Sequence, residues 1–399
     1  MEVTLRQRQT AGVETAVEDL GRAQARMVQA KTKAAPGGVE ISFHPKQAAG
    51  GDFFSHFELT PDQYFCLMTD VSGHDLQAAY LSAYVQGIAR GMVERAAPMA
   101  EILGYFNRFL LDEWNPAEGV CLNGSGNTAS VAVCSVLFDF KIGTAKVLTC
   151  GTPAPVHVAS DGRAQVVGRG GGFPLGWFPD LGAESASCDI AWGGAFLLWT
   201  DGLEDLAEKL GLSPLSLGFA LRSAQAAQQR LPALDQAADD LLFVEIPLRS
   251  EPPHSQKFHP LVIERYHGGQ VSQIDDLEAS WQRSLRLALP ELPEAVLHDV
   301  LLASREAVLN SLKHGCGGRP ERRAKIQISC QAGQQRLRVW VEDEGPGHHF
   351  NVPAHEQALA GGALNAHLGL ILIQHLAQSV NFERQGASVT MDFQTANEL

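Results

Sequence analysis

The chain has 399 residues, enough for two domains that each bury a core, and 45% of them are hydrophobic, an ordinary globular proportion. A formal net charge of −14 without a long basic run excludes nucleic acid as the natural partner, and no apolar stretch approaches membrane-spanning length. The seven cysteines are scattered without a Cys-x-x-Cys pair and the N-terminus has no signal-peptide pattern, which together predict free thiols in a cytoplasmic protein.

Residues 11–33 predict one helix. Val13, Val17, Leu20, Gln24 and Met27 recur at spacings of four and three, a coiled-coil seam with a polar break at Gln24, and Pro36-Gly37-Gly38 ends it. A helix packed on its own domain and a dimerising or signal-transmitting helix both suit so short a seam. From Val39 the pattern turns strand-rich. Strands are predicted at 39–44, 64–69, 131–139, 144–150, 155–158, 195–200 and 241–247, with helices at 76–95, 98–114 and 215–230. Leu81, Val85, Ile88 and Met92 line one face of the first of these helices. Residues 249–260 are polar, contain Pro252-Pro253 and read as an interdomain linker. From Leu261 the pattern restarts, with helices at 296–313 and 364–376 and strands at 324–330, 337–342, 380–382 and 388–393. The expected organisation is an N-terminal helix (1–36), a first domain (37–248), a linker (249–260) and a second domain (261–399). The fold class is α+β.

Four aspartate motifs mark the edges of apolar runs: Gly50-Gly51-Asp52, Thr69-Asp70-Val71-Ser72-Gly73-His74, Thr200-Asp201-Gly202 and Asp239-Asp240. One aspartate at a strand end is ordinary turn chemistry. Four such motifs in one domain predict a shared site. Its donors would be oxygens, which suit Mg²⁺ or Mn²⁺ rather than zinc. Two such ions polarise phosphoryl oxygens and supply hydroxide at neutral pH, the chemistry that hydrolysis of a phosphate monoester needs. Ser72 and His74 could orient phosphate or water.

These motifs, with Gly151-Thr152-Pro153-Ala154-Pro155 and Gly172-Phe173-Pro174-Leu175-Gly176 between them, resemble the PPM-type serine/threonine phosphatases of the RsbU-like and SpoIIE-like branch over about 210 residues. The resemblance implies a layered β-sandwich flanked by helices. It implies that catalytic Asp70 bridges two Mn²⁺ or Mg²⁺ ions and that the Val71 carbonyl binds one. Asp52, Asp201 and the Asp239-Asp240 pair would complete the metal site, Asp239 aligning better than Asp240. Asp75, Ser55 and Leu242 depart from the family's usual residues without removing a metal carboxylate.

In the last third, Glu306 and Asn310 stand four apart on a predicted helix and share one face, which His314 continues. A carboxylate that activates a nucleophile and an amide one turn on that holds Mg²⁺ make a phosphotransfer pair. Asp343 follows a strand and precedes Gly345 and Gly347, glycines that permit close approach of backbone to a ligand. Residues 304–314, 343–347 and 367–373 resemble the N-box and glycine boxes of the GHKL ATPases, specifically RsbW-like anti-sigma-factor serine kinases with a GHKL-type α/β sandwich. The resemblance makes Glu306 the general base, Asn310 the Mg²⁺ ligand and Asp343 the adenine contact. Gly345, Gly347 and Gly369 would lie against ATP. His367 stands where the family has the first glycine of its second box, so a Cβ and an imidazole meet the phosphates there, or a polar side chain replaces a backbone contact. His348-His349 reads as a solvated loop, and Trp177, before Pro179, as a candidate surface anchor.

The combined expectation is a bacterial partner-switching regulator. Its phosphatase acts on a phosphorylated anti-sigma-factor antagonist of the STAS type. Its ATPase-like domain binds ATP with Mg²⁺ and docks that antagonist or a sigma or anti-sigma factor. Kinase turnover depends on His367. An upstream sensor or receiver would supply the signal, with homodimerisation through the N-terminal helix. The competing readings are a phosphatase whose degenerate ATPase domain only docks partners, and a non-catalytic scaffold.

Overall fold

The computed structural model describes residues 38–47, 50–73, 76–95, 97–114, 129–190, 194–248, 258–331, 333, 336–347 and 368–395. The predicted N-terminal helix, His74, Asp75, His348, His349, His367 and most of the predicted linker lie outside the described residues. The chain divides into two compact units. The second unit contains the residues from Gln256 onward together with Asp161–Ala164 and Ala207–Ser223; the first contains the remainder. Those two short segments fall inside the stretch that the sequence pattern assigns to the first domain.

The first unit is built on two sheets. One has the order β1-β10-β9-β6-β7, from β1 (Glu40–His44), β10 (Leu241–Pro247), β9 (Ala195–Trp199), β6 (Val156–Val158) and β7 (Ala164–Val166). The other has the order β2-β3-β4-β5-β8, from β2 (Phe53–Thr60), β3 (Gln63–Val71), β4 (Val131–Asp139), β5 (Thr144–Cys150) and β8 (Glu184–Asp189). Period-two alternation decides what lies between them. Tyr64, Cys66 and Met68 of β3 join Phe196 and Leu198 of β9 and Leu242, Val244 and Ile246 of β10 in one apolar core between the sheets. The alternate β3 residues Phe65, Leu67 and Val71 face a second core under helices α1 (Leu76–Val93) and α2 (Met99–Phe109). Leu81 and Val85 of the predicted α1 stripe are buried in that core, and Ile88 and Met92 pack at its margin. Helix α3 (Asp201–Leu210) follows β9 and leaves the first unit after Leu206, and most of the next helix, α4 (Pro214–Ala226), belongs to the second unit.

Four of these elements escape the sequence pattern, the three-residue β7 among them. Strand β2 is buried only over its first residues, and β8 is an edge strand whose side chains are exposed or half-buried. Neither gives the alternation that marks a half-buried strand. Helix α3 begins at Asp201, where a strand end is the natural reading of Thr-Asp-Gly.

The second unit carries the antiparallel sheet β11-β12-β13-β15-β14, from β11 (Phe258–His267), β12 (Arg323–Gln331), β13 (Arg336–Asp343), β15 (Ser388–Gln394) and β14 (Ser379–Glu383). Strand β11 starts at Phe258, inside the predicted linker. Helices α5 (Ile274–Ala288), α6 (Glu294–Asn310) and α7 (Leu368–Leu376) share one core with this sheet, centred on Trp281, Leu297, Val308, Ile326, Val339 and Met391. Of the cysteines in the described residues, Cys66, Cys134, Cys150, Cys316 and Cys330 are buried free thiols and Cys188 is half-buried.

Phe138 is fully buried between the sheets of the first unit and meets Phe196 edge-on at 5.1 Å. Phe138→Ala should cost the first unit about 3–5 kcal/mol, read as an earlier denaturant midpoint for its unfolding transition in the full chain.

Candidate functional site

The inter-sheet rows of the first unit do not end in apolar residues. The row Tyr64-Cys66-Met68 continues, two residues on, to Asp70 near the end of β3. The row Phe196-Leu198 continues to Thr200, just past β9. The row Ile246-Val244-Leu242, read backwards, reaches Asp240 just before β10. Phe54 of β2 is preceded at the same spacing by Asp52. Antiparallel pairing puts these positions at one mouth, because Phe53 pairs with Thr69 and Phe243 with Trp199. The sandwich is therefore dry inside and polar at one end.

Hydrogen bonds stitch that mouth across the two sheets. The Thr200 hydroxyl donates to Asp52 Oδ2 at 2.7 Å, and Thr200 Oγ1 accepts the Leu242 N–H at 3.2 Å. Asp240 Oδ2 accepts the Gly51 N–H and Oδ1 the Lys46 N–H, each at 2.7 Å. A Cβ on Gly50 would fall 2.0 Å from an Asp240 oxygen, and one on Gly51 would fall 2.3 Å from the Val71 carbonyl oxygen. Only glycine admits this approach, which explains Gly-Gly before Asp52. A Cβ on Gly202 would strike the Asp240 carbonyl at 2.2 Å, which fixes the glycine of Thr-Asp-Gly in the same way.

The electrostatics are those of an unbalanced acidic cluster. Burial drives the Asp52 carboxyl well above its ordinary pKa; Asp240 adds to the rise, the Thr200 hydrogen bond opposes it, and Asp201 and Asp239 add further. Burial likewise raises Asp70, helped by the charges of Asp52 and Asp201, by a side-chain hydrogen bond with Asp201, and by Asp239. All the predicted carboxylates of the first site thus share one field. Among the described residues no three acidic, histidine or cysteine side chains close on one point as a finished ligand cage; the carboxylates ring the mouth instead. Within the Asp-Asp pair the roles separate. Asp240 is buried and taken up by backbone N–H groups, whereas Asp239 is exposed. The donor set fits hard divalent cations, since it is all oxygen and its mutual repulsion is what a cation relieves.

In the second unit, the same alternation carries Leu337, Val339 and Val341 of β13 on to Asp343, so that carboxylate sits on the buried face of the sheet. It accepts the Gly345 N–H at 2.8 Å, and a Cβ on Gly315 would lie 2.1 Å from its carboxyl carbon. Gly347 has φ +76°, and a Cβ there would meet the Gln385 and Arg384 carbonyls at 2.6 and 2.7 Å. Glu306 and Asn310 lie on α6 facing the start of α7, where a Cβ on Gly369 would be 2.6 Å from Glu306 Oε2 and 3.5 Å from Asn310 Nδ2. Among the described residues, Asn310 Nδ2 is buried with no hydrogen-bond partner, an amide that lacks its acceptor. Glu306, Asn310 and Gly369 therefore meet as one group, while Asp343, Gly345 and Gly315 form another. The one sequence signal at Gly315 is a glycine that closes a helical turn.

Residues 60–249 match the family model for stage II sporulation protein E (SpoIIE), and residues 271–393 match that for the histidine kinase-like ATPase domain. The chain is thus a PPM-type phosphatase of the SpoIIE family fused to a histidine kinase-like ATPase domain. No curated protein matches it. Solved structures resemble it distantly. The RsbU and RsbW domains of a Mycobacterium tuberculosis protein are 18% identical, with 91% of this chain and 96% of that one covered at a TM-score of 0.40. The SiaA PP2C domain of Pseudomonas aeruginosa is 16% identical, covering 61% and 98% at 0.44. The PP2C domain of SpoIIE from Bacillus subtilis, with a fragment of its regulatory domain, is 16% identical, covering 54% and 64% at 0.42. Among the described residues no helix is long and apolar enough to cross a membrane.

The raised Asp70 carboxyl gives a signed expectation. In chelator, a raised folded pKa makes ionised Asp70 destabilising above that pKa, and the penalty fades as acid protonates it. Asp70→Asn should therefore melt above the metal-free wild type at pH 7.5, by a few degrees for ~1 kcal/mol. That advantage should shrink when the two melting curves are compared at pH 5.

Proposed function

We propose that the chain hydrolyses phosphate from serine or threonine of a protein substrate, using two Mn²⁺ or Mg²⁺ ions held at the mouth of the sandwich. The observation that supports this reading is that Asp201 and Asp239 at the rim, with Asp52 and Asp70 behind them, lie close enough to raise one another's proton affinity at the mouth of the sandwich. Asp70, Asp52, the Val71 carbonyl, Asp201 and Asp239 would hold the ions. When bound, such ions polarise the phosphoryl group and make water acidic enough to attack near neutral pH. Asp240 is here a positioning residue. Its carboxylate takes up the Lys46 and Gly51 N–H groups, and so holds Asp52 and the approach of Gly51 to Val71.

The second domain, in this reading, binds ATP with Mg²⁺. Asn310 carries a buried amide in want of an acceptor and would hold the ion, Glu306 on the same helix would serve as base, and Asp343 would accept from the adenine amine. Gly345, Gly347 and Gly369 let the backbone come close. The pairing of a phosphatase with an ATPase-like domain supports a bacterial partner switch, with a phosphorylated STAS-type antagonist as substrate. The second domain would dock that antagonist or a sigma or anti-sigma factor, under a separate sensor.

Two measurements on the full chain test this. Asp70→Ala should reduce Mn²⁺-dependent hydrolysis of p-nitrophenyl phosphate by more than ~100-fold, and unchanged turnover would remove Asp70 from the site. Calorimetric titration with ATP and Mg²⁺ should show binding that Asn310→Ala weakens by roughly tenfold or more. Wild-type protein that binds no ATP would leave the second domain as a docking module only.

A further inference from the structure

Among the described residues, three of the six exposed large hydrophobic side chains sit in one short loop: Phe173 (51% exposed), Trp177 (52%) and Phe178 (47%). Their rings touch one another. Phe173 and Phe178 meet edge-on at 4.7 Å, and Trp177 stands 6.2 Å from Phe173 and 6.5 Å from Phe178. Water is a poor environment for three clustered rings, and such a patch ordinarily marks a contact surface.

The loop is built to hold them there. Leu175, between the rings in sequence, is buried and exchanges both backbone hydrogen bonds with Val131, at 2.9 and 3.1 Å. The buried Asn107 side chain accepts the Gly176 N–H at 2.8 Å and donates to the Phe178 and Pro179 carbonyls at 2.8 and 3.2 Å. Gly176 has φ +91°, and a Cβ there would press on the Ala129 carbonyl and on Leu110 at 3.1 Å. Backbone and buried side chains fix the loop while its three aromatic side chains stand exposed.

Its place on the sheet says what it faces. Leu175 bridges Val131 of β4, and Val131 pairs with Val71 of β3, the residue after Asp70. Two strand spacings, about 10 Å, separate this loop from the end of β3. That is the reach of a few residues of extended peptide. We infer that the Phe173–Trp177–Phe178 cluster is a docking platform for apolar side chains that flank the phosphorylated residue of the protein substrate. The inference rests on the phosphatase reading of the mouth and assigns its specificity. A phosphoserine seated at Asp70 would place neighbouring apolar residues over the rings, and an aryl phosphate would be too small to reach them.

The test uses the full chain with Mn²⁺ and three probes. These are p-nitrophenyl phosphate, a phosphoserine peptide flanked by leucine and isoleucine, and the same peptide with those residues changed to serine and glycine. Wild-type protein should prefer the apolar peptide by about tenfold in kcat/KM, mostly through KM. Phe173→Ser and Trp177→Ser should abolish the preference, Trp177→Phe should retain most of it, and hydrolysis of the aryl phosphate should hold in all three. The rings are exposed, so unchanged melting temperatures are expected and Trp177→Phe guards against a misfolded variant. A wild type without the preference, or serine variants that keep it, overturns the platform. So does a parallel loss of aryl phosphate hydrolysis, which would make the loop part of the catalytic geometry. So too does conversion of a dimer to a monomer with the preference intact, which would make the rings a contact between copies. If wild type hydrolyses none of the probes, the phosphatase reading falls and the platform falls with it.

Discussion

The hydrogen bond from the Thr200 hydroxyl to the buried Asp52 carboxylate joins the two sheets of the first unit at the one end where their inner rows stop being apolar. Much else at the site follows from that junction. A carboxylate is tolerated at 2% exposure because the hydroxyl satisfies one oxygen and the mouth of the sandwich opens beside it. The cost is visible in the raised proton affinities of Asp52 and Asp70, two carboxyls that burial and neighbouring charge both disfavour as anions. A site so arranged is poised for cations, and its strain is released by the ligand it is proposed to take.

The glycines are the counterpart of that crowding. Gly50, Gly51 and Gly202 each stand where a methyl group would occupy an oxygen or a carbonyl of the site, so the loops close around the carboxylates with no side chain between. The second unit repeats the device, with Gly315 over Asp343 and Gly369 against Glu306 and Asn310. In both units a strand row that is apolar through its length ends in an aspartate, and glycine backbone covers it. Two unrelated chemistries are reached by one structural habit, because the dry end of a packed layer is where a fixed carboxylate feels its neighbours most strongly.

The two members of Asp239-Asp240 show how adjacent identical residues diverge. Successive positions in extended chain point to opposite faces, so one carboxylate goes inward to take up the Lys46 and Gly51 N–H groups and the other stays at the rim. The buried residue organises the site and the exposed one is available to a ligand. Asn107 plays a comparable part for the aromatic loop, far from it in sequence and buried beneath it.

The sequence by itself determined most of the layered architecture. Apolar alternation marked β3, β4, β5, β9 and β10, and helical spacing marked α1, α2 and α6, because burial on one face writes a period into the residues. It also singled out Asp52, Asp70, Asp201 and Asp343 as candidates, because carboxylates near glycine at the ends of such runs are legible as chemistry, and Glu306 and Asn310, because they stand four apart on one helix. It did not give β2 and β8, whose exposed faces carry little apolar signal, nor the helix that starts at Asp201. Only the tertiary structure decided that Asp240 holds backbone while Asp239 faces outward, that Thr200 links the sheets, and that Gly315 meets Asp343. It also brought the Phe173 loop beside the end of β3. These are contacts across 28 to 194 residues of chain, set by sheet register and packing, and no local pattern records them.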